Sequence, residues 1–141
     1  MKKDERGFTL IEIMVVVVII GLLATLVTVN LMEKADDAKV VKAKADIKAI
    51  ENALELYKLD SGRYPSTQEG LKALVTKGEG RDSYIKGGKV PQDPWGKTYQ
   101  YLSPGSHGEF DIISYGADGE PGGQAKDKDI TNWGDGEGAG Q

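Results

Sequence analysis

Between Ile13 and Val29 the sequence carries no charged residue. That run constrains the fold more than anything else in the chain. Phe8 to Val29 is 22 residues, which as a helix rises roughly 33 Å, about the thickness of a bilayer hydrocarbon core. The residues before it, MKKDERG, place Lys2, Lys3 and Arg6 at its start. A basic flank stays on the cytoplasmic side, so the C-terminal part of the chain is expected outside.

Two ordinary readings compete for such a segment. A secretory signal peptide would be cut after its apolar run, behind small residues. Ala24-Thr25 suits that poorly, and the run is longer than a usual signal core. A plain signal anchor fits the length but has no use for Glu12. A carboxylate just inside a membrane segment costs about 2.5–3.5 kcal/mol on insertion scales, so such a residue is normally functional and paired.

Gly7-Phe8-Thr9-Leu10-Ile11-Glu12 resembles the class III signal of type IV pilins and pseudopilins. The resemblance implies that a prepilin peptidase cuts between Gly7 and Phe8, and that the new N-terminal Phe8 is N-methylated. It also implies that Glu12 meets the N-terminal amine of a neighbouring subunit during assembly. The physics agrees: opposite charges attract strongly in a low dielectric, and an unpaired one is costly. One departure stands out. Many members carry a proline where this chain has Val29. A proline removes a backbone hydrogen bond and weakens a helix, so this chain lacks that device.

After Met32 the pattern turns amphipathic. Val40, Ala43, Ile47, Ile50, Leu54 and Tyr57 recur at spacings of 3 and 4, which is one face of a helix. Lys39, Lys42, Asp46, Glu51, Glu55 and Lys58 are expected on the solvated side. No proline interrupts residues 8–60, so one long helix is predicted, ending near Asp60-Ser61-Gly62. Thr67 or Ser66 is expected to cap a short helix over Leu71, Leu74 and Val75. Pro91, Pro94 and Gly96 make a rigid turn around Trp95, which is expected to pack on the long helix. Strands are predicted at 98–102, 109–114 and, more weakly, 130–133. The fold class is α+β: a long N-terminal helix packed on a small antiparallel sheet. His107 is read as an exposed turn residue, since a lone histidine builds no metal site.

The segments YKLDSGRYPSTQEGLKALV and VPQDPWG resemble the major pseudopilins of type II secretion, as distinct from type IV pilins generally. Residues 114–133 then carry Asp118, Glu120, Asp127 and Asp129 with four glycines and few apolar anchors. Hard oxygens on such a loop suit Ca²⁺. The spacing is not that of an EF-hand, and a solvated acidic loop fits the same residues. The resemblance implies a calcium site here, with Asp118, Asp127 and Asp129 as ligands and backbone carbonyls, including that of Tyr115, completing the shell. In a chain without cysteine, the ion would close a loop that a disulfide closes elsewhere.

The expected organisation is a leader at 1–7, a transmembrane and assembly helix at 8–31, a periplasmic domain at 32–133 and a flexible tail at 134–141. The function implied is the major subunit of the type II secretion pseudopilus, polymerised to drive protein secretion across the outer membrane. The alternative is a type IV pilin for adhesion, motility or DNA uptake. Expected partners are further copies of the chain, prepilin peptidase, minor pseudopilins, the inner-membrane assembly platform and inner-membrane lipid. A formal charge of −4 and no basic stripe argue against nucleic acid. No catalytic set is visible: there is no Cys, a single His and no phosphate loop.

Overall fold

The structure is a computed structural model that describes residues 7–76 and 82–134. The leader before Gly7 and the tail after Gly134 lie outside the described residues. Helix α1 spans Leu10–Ser61, 52 residues. It begins at Thr9, whose Oγ1 accepts a hydrogen bond from the Glu12 N–H at 3.3 Å. Thr9 is thus an N-cap and Glu12 its N3 residue, the spacing of a capping box. The helix ends as the sequence predicts. Gly62 takes φ 78°, and its N–H reaches the Lys58 carbonyl at 2.8 Å, so the left-handed residue closes the last turn. The backbone is helical through Val29, with no break in α1 at that position.

Chain contacts divide the protein into two units, residues 1–36 and 37–141. In the first unit, every described side chain from Gly7 to Val27 is exposed. Leu10 is 81% exposed and Leu26 65%. Water would not tolerate such a surface, and its length and composition suit a bilayer. Thr25, the polar residue in mid-run, hides its hydroxyl by donating to the Leu22 carbonyl at 2.7 Å. That satisfies the group without an outside partner, as a lipid setting requires.

The second unit holds the core. Ala43, Ile47, Ile50 and Leu54 supply it from the helix, as their spacing predicts. Leu71 and Leu74 cover one end, and Tyr99, Tyr101, Phe110, Ile112 and Ile130 come from the sheet side. Leu54 and Ile112 are wholly buried; each contributes about 1.5–3 kcal/mol relative to exposure. The sheet has three antiparallel strands in the order β1 (Gln100–Leu102), β2 (Asp111–Ser114) and β3 (Ile130–Thr131). Tyr101 faces Ile112, and Ser114 faces Ile130. The strands are shorter than the sequence suggests. Thr98, read as the first residue of a strand, instead bridges back to Gln92 across the Pro-rich turn. Asn132 compensates at the other edge: its side-chain oxygen accepts from the Ile112 N–H at 2.8 Å, and its amide donates to the Phe110 carbonyl. A side chain thus extends the ladder where the strand has stopped.

The 66–74 region corrects the expected cap. Leu71–Leu74 is a single 3₁₀ turn that starts at Gly70, with no side-chain cap. Ser66 and Glu69 instead bond each other's backbone N–H, at 3.3 and 2.7 Å. Arg63 clamps the Glu69 carboxylate with two nitrogens, and the guanidinium holds that carboxyl down to about 2. Thr67 exchanges hydrogen bonds with the backbone of Ser103, tying this turn to the sheet.

Candidate functional site

Two places carry the residues singled out by the sequence. The first is the head of α1. Gly7 is exposed, and a Cβ built there meets nothing within 4 Å. Phe8 is 79% exposed. Glu12 is exposed too, and among the described residues its carboxylate has no hydrogen-bond or ion-pair partner. The chain therefore presents the Gly7-Phe8 pair with open surroundings. Four residues further on it presents a carboxylate on an apolar helix with nothing of its own to neutralise it. Any counter-charge for it lies outside the described residues of this chain.

The second is the loop between β2 and β3. The loop folds back on itself through Ala117 N–H to the Lys126 carbonyl, 2.9 Å. Gly116 and Gly123 make that approach possible: both have positive φ, and a Cβ at either would collide with the backbone of Asp127. The Tyr115 carbonyl accepts from the Gly119 N–H at 3.2 Å. Asp118 turns its Oδ1 to the Glu120 N–H at 3.1 Å. Asp129 accepts from the Gly122 N–H through Oδ2 at 2.9 Å, while its Oδ1 is buried with no partner. A desolvated carboxylate oxygen without a donor is costly, and a water molecule or a cation would satisfy it. Asp127 sits on a short 3₁₀ turn (Ala125–Asp127) with its carbonyl facing the two glycines. Among the described residues no three acidic or imidazole side chains are grouped closely enough to hold a metal by themselves. An ion here would rest on Asp129 with carbonyl oxygens, a mixture calcium accepts. Lys97 reaches the loop from the Pro-rich turn and donates to the Ala117 carbonyl at 2.9 Å.

That turn is fixed by a buried carboxylate. Asp93, 4% exposed, accepts from the backbone of Trp95 and Lys97 through Oδ1 and from the Ser114 hydroxyl through Oδ2. Trp95 packs against the core cluster, half-buried. The solvated face of the helix also differs from expectation. Asp46 accepts from the Tyr99 hydroxyl at 3.0 Å, and Lys58 grips both oxygens of Glu109. Burial, then the Asp46 charge, push the Tyr99 phenol well above its usual range, so it stays protonated and donates to Asp46.

His107 is more than a turn residue. Its ring stacks flat on Trp133, centroids 3.8 Å apart, and its Nδ1 lies 3.0 Å from Asp111 Oδ2. Asp111 is 2% exposed and also takes the N–H groups of Ser106 and His107. Burial works to raise its pKa, but the hydrogen bonds from the His107 ring and the two N–H groups outweigh it, and the carboxyl lies below its ordinary value. Asp111 lies on the face of β2 opposite the core-facing Ile112, held by the 106–107 turn rather than in the hydrophobic cluster, and the one histidine lies four residues before it.

Comparison with known proteins places these features. The family described as Type II secretion system (T2SS), protein G matches residues 30–133. The Prokaryotic N-terminal methylation motif matches residues 2–28. The Type II secretion system core protein G of Pseudomonas aeruginosa is 56% identical, covering 94% of this chain and 97% of that protein. The Vibrio cholerae protein of the same description is 51% identical over 93% of each chain. The crystal structure of the major pseudopilin from the type 2 secretion system of enterohaemorrhagic Escherichia coli superposes with a TM-score of 0.60 at 43% identity, covering 74% of this chain and 94% of that one.

Proposed function

This chain belongs to the type II secretion system protein G family, and we propose that it is the major pseudopilin of such a system, clipped after Gly7, N-methylated at Phe8 and assembled into a periplasmic filament. The observation that carries the reading is Glu12. It stands on an apolar, wholly exposed helix segment inside a methylation motif, and no described residue of its own chain neutralises it. A protonated N-terminal amine from a neighbour, freed by the cut before Phe8, supplies the missing charge. Pairing between chains then sets a stagger along the helix, and lateral packing of the apolar segments follows. The chain's chemistry is structural: it offers a removable leader, a charge to pair and a rigid domain to display. Its partners in this reading are further copies, the prepilin peptidase, minor pseudopilins and the inner-membrane platform, with the domain from residue 32 onward in the periplasm.

Deleting the chain is expected to stop secretion through the system and leave the exported proteins in the periplasm. Undiminished secretion by the deletion strain would count against the proposal. The type IV pilin alternative gains no support from the relatives or from the structural neighbour.

The C-terminal loop is proposed to hold Ca²⁺. The buried, unpartnered Asp129 oxygen supports this, with Asp118, Asp127 and the Tyr115 carbonyl as the remaining candidates. The ion would tie the loop, adding a cross-link to a domain without disulfides. Bound ligand stabilises by mass action, by about 2.7 kcal/mol at a hundredfold excess over Kd. Chelation with EGTA is therefore expected to lower the melting temperature of the purified chain by several degrees, restored by added Ca²⁺. Identical melting curves would dismiss the ion.

A further inference from the structure

Little holds the loop between β2 and β3 to the rest of the domain. From Tyr115 to Asp129 the one buried residue is Gly116, so no apolar side chain of this segment is buried in the core. Gly116, Gly119, Gly122 and Gly123 all lie in it with positive φ. A glycine-rich stretch loses much conformational entropy when it orders, and no apolar burial offsets that loss here. Residues 116–128 take their hydrogen-bond partners from within residues 115–129, with one exception among the described residues. The exception is Lys97, whose ammonium donates to the Ala117 carbonyl at 2.9 Å.

Lys97 is fixed in place at both ends. Its N–H donates to Asp93 Oδ1 at 2.8 Å, and its carbonyl accepts from the Asp93 N–H at 2.7 Å. The other Asp93 oxygen takes the hydroxyl of Ser114, the wholly buried last residue of β2. The Lys97 backbone is thus tied to the strand end from which the loop departs. Its side chain runs along Gly119. A Cβ there would collide with the ammonium and press on Cε at 2.9 Å and Cδ at 3.0 Å. Glycine at 119 therefore serves both a φ of 74° and the passage of the lysine.

We propose that Lys97 is the positioning residue of this loop: it closes residues 115–119 onto the domain before any ion arrives, and so strengthens Ca²⁺ binding. The proposal rests on the calcium reading above and adds a residue that shapes the site without being a ligand. Two effects of the ammonium oppose each other. Its charge repels a cation, while its hydrogen bond does in advance part of the ordering that the ion would otherwise impose. The loop faces solvent, where water and salt screen the repulsion. The bond to Ala117 is part-buried and charge-assisted, the stronger kind. Preorganisation is the larger effect.

The chain has no cysteine, which permits a direct test on the purified full-length chain in detergent. Lys97→Cys introduces a single thiol. Alkylation with 2-bromoethylamine rebuilds a side chain of lysine's length with its ammonium, and 1-iodopropane gives the same length without the charge. For the propyl form, Ca²⁺ binding measured by titration calorimetry is expected to weaken about tenfold, and in EGTA the Gly119 amide to exchange at least about tenfold faster. The aminoethyl form is expected to restore both, whereas a lysine that acts only through its stem would leave the two forms alike. Equal Ca²⁺ affinity in the two forms, or tighter binding by the propyl form, would overturn the proposal and leave the calcium reading standing. If the unaltered chain takes up no Ca²⁺, the calcium reading fails and the proposal with it.

Discussion

A Glu12→Ala chain is expected to be clipped and to sit in the membrane normally, yet to be nearly absent from filaments. The alanine adds helix propensity and removes a polar group from an apolar segment, so nothing in the single chain suffers. The loss falls on assembly. With Glu12 gone, the amine of each incoming subunit is buried without a counter-charge. Breaking a buried pair this way costs about 3–5 kcal/mol, or on the order of 10²–10³ in the association constant at every contact. Glu12→Asp keeps the charge on a shorter arm and should recover part of the yield. Quantifying the chain in sheared filaments against the membrane fraction checks this. A filament yield for Glu12→Ala equal to wild type would remove the pairing from the account.

The second large effect lies two steps upstream. A bulky residue at position 7, such as Gly7→Val, is expected to block removal of the leader by about a hundredfold or more. The size follows from protease logic: a misplaced scissile bond of about 1 Å costs on that order. The folded chain itself does not oppose the substitution, because Gly7 is exposed and a Cβ there meets nothing. Any failure therefore arises in the peptidase. Gel mobility and intact mass report it directly, as a chain longer by the seven leader residues. Efficient clipping of Gly7→Val would mean that the cut lies elsewhere.

The first half of the chain was legible because its physics is local. A membrane-length run, a carboxylate inside it, a 3.6-residue core face and a glycine stop are all carried by neighbouring residues. The helix from Leu10 to Ser61 matches that reading within its end turns. The sheet was legible only in outline. Thr98 left its strand because the Asp93-centred turn offered Gln92, six residues back, as a partner, and no periodicity announces such a bridge. Thr67 did not cap the following turn because Ser103, thirty-six positions away in sequence, used its hydroxyl. The His107–Trp133 stack is likewise long-range, whereas the His107–Asp111 contact spans only four residues.

The rear face of the helix was the larger omission. Its charges were read as solvated, but Asp46 and Lys58 are engaged by Tyr99 and Glu109. Beside those charges Val41, Leu56 and Leu59 lie exposed on the same helix, apolar residues that the core-facing pattern does not account for. The acidic loop shows the converse. Composition located it, but the buried oxygen of Asp129 came from the folded backbone, where two glycines let the loop close on itself.

The central claim is that this is a clipped, methylated filament subunit. The most direct measurement is the intact mass and N-terminal sequence of the chain recovered from sheared filaments. The account predicts a subunit that begins at Phe8, lacks residues 1–7 and carries one added methyl group on its amine. A filament subunit that retains the leader, or begins after the apolar run, would contradict it.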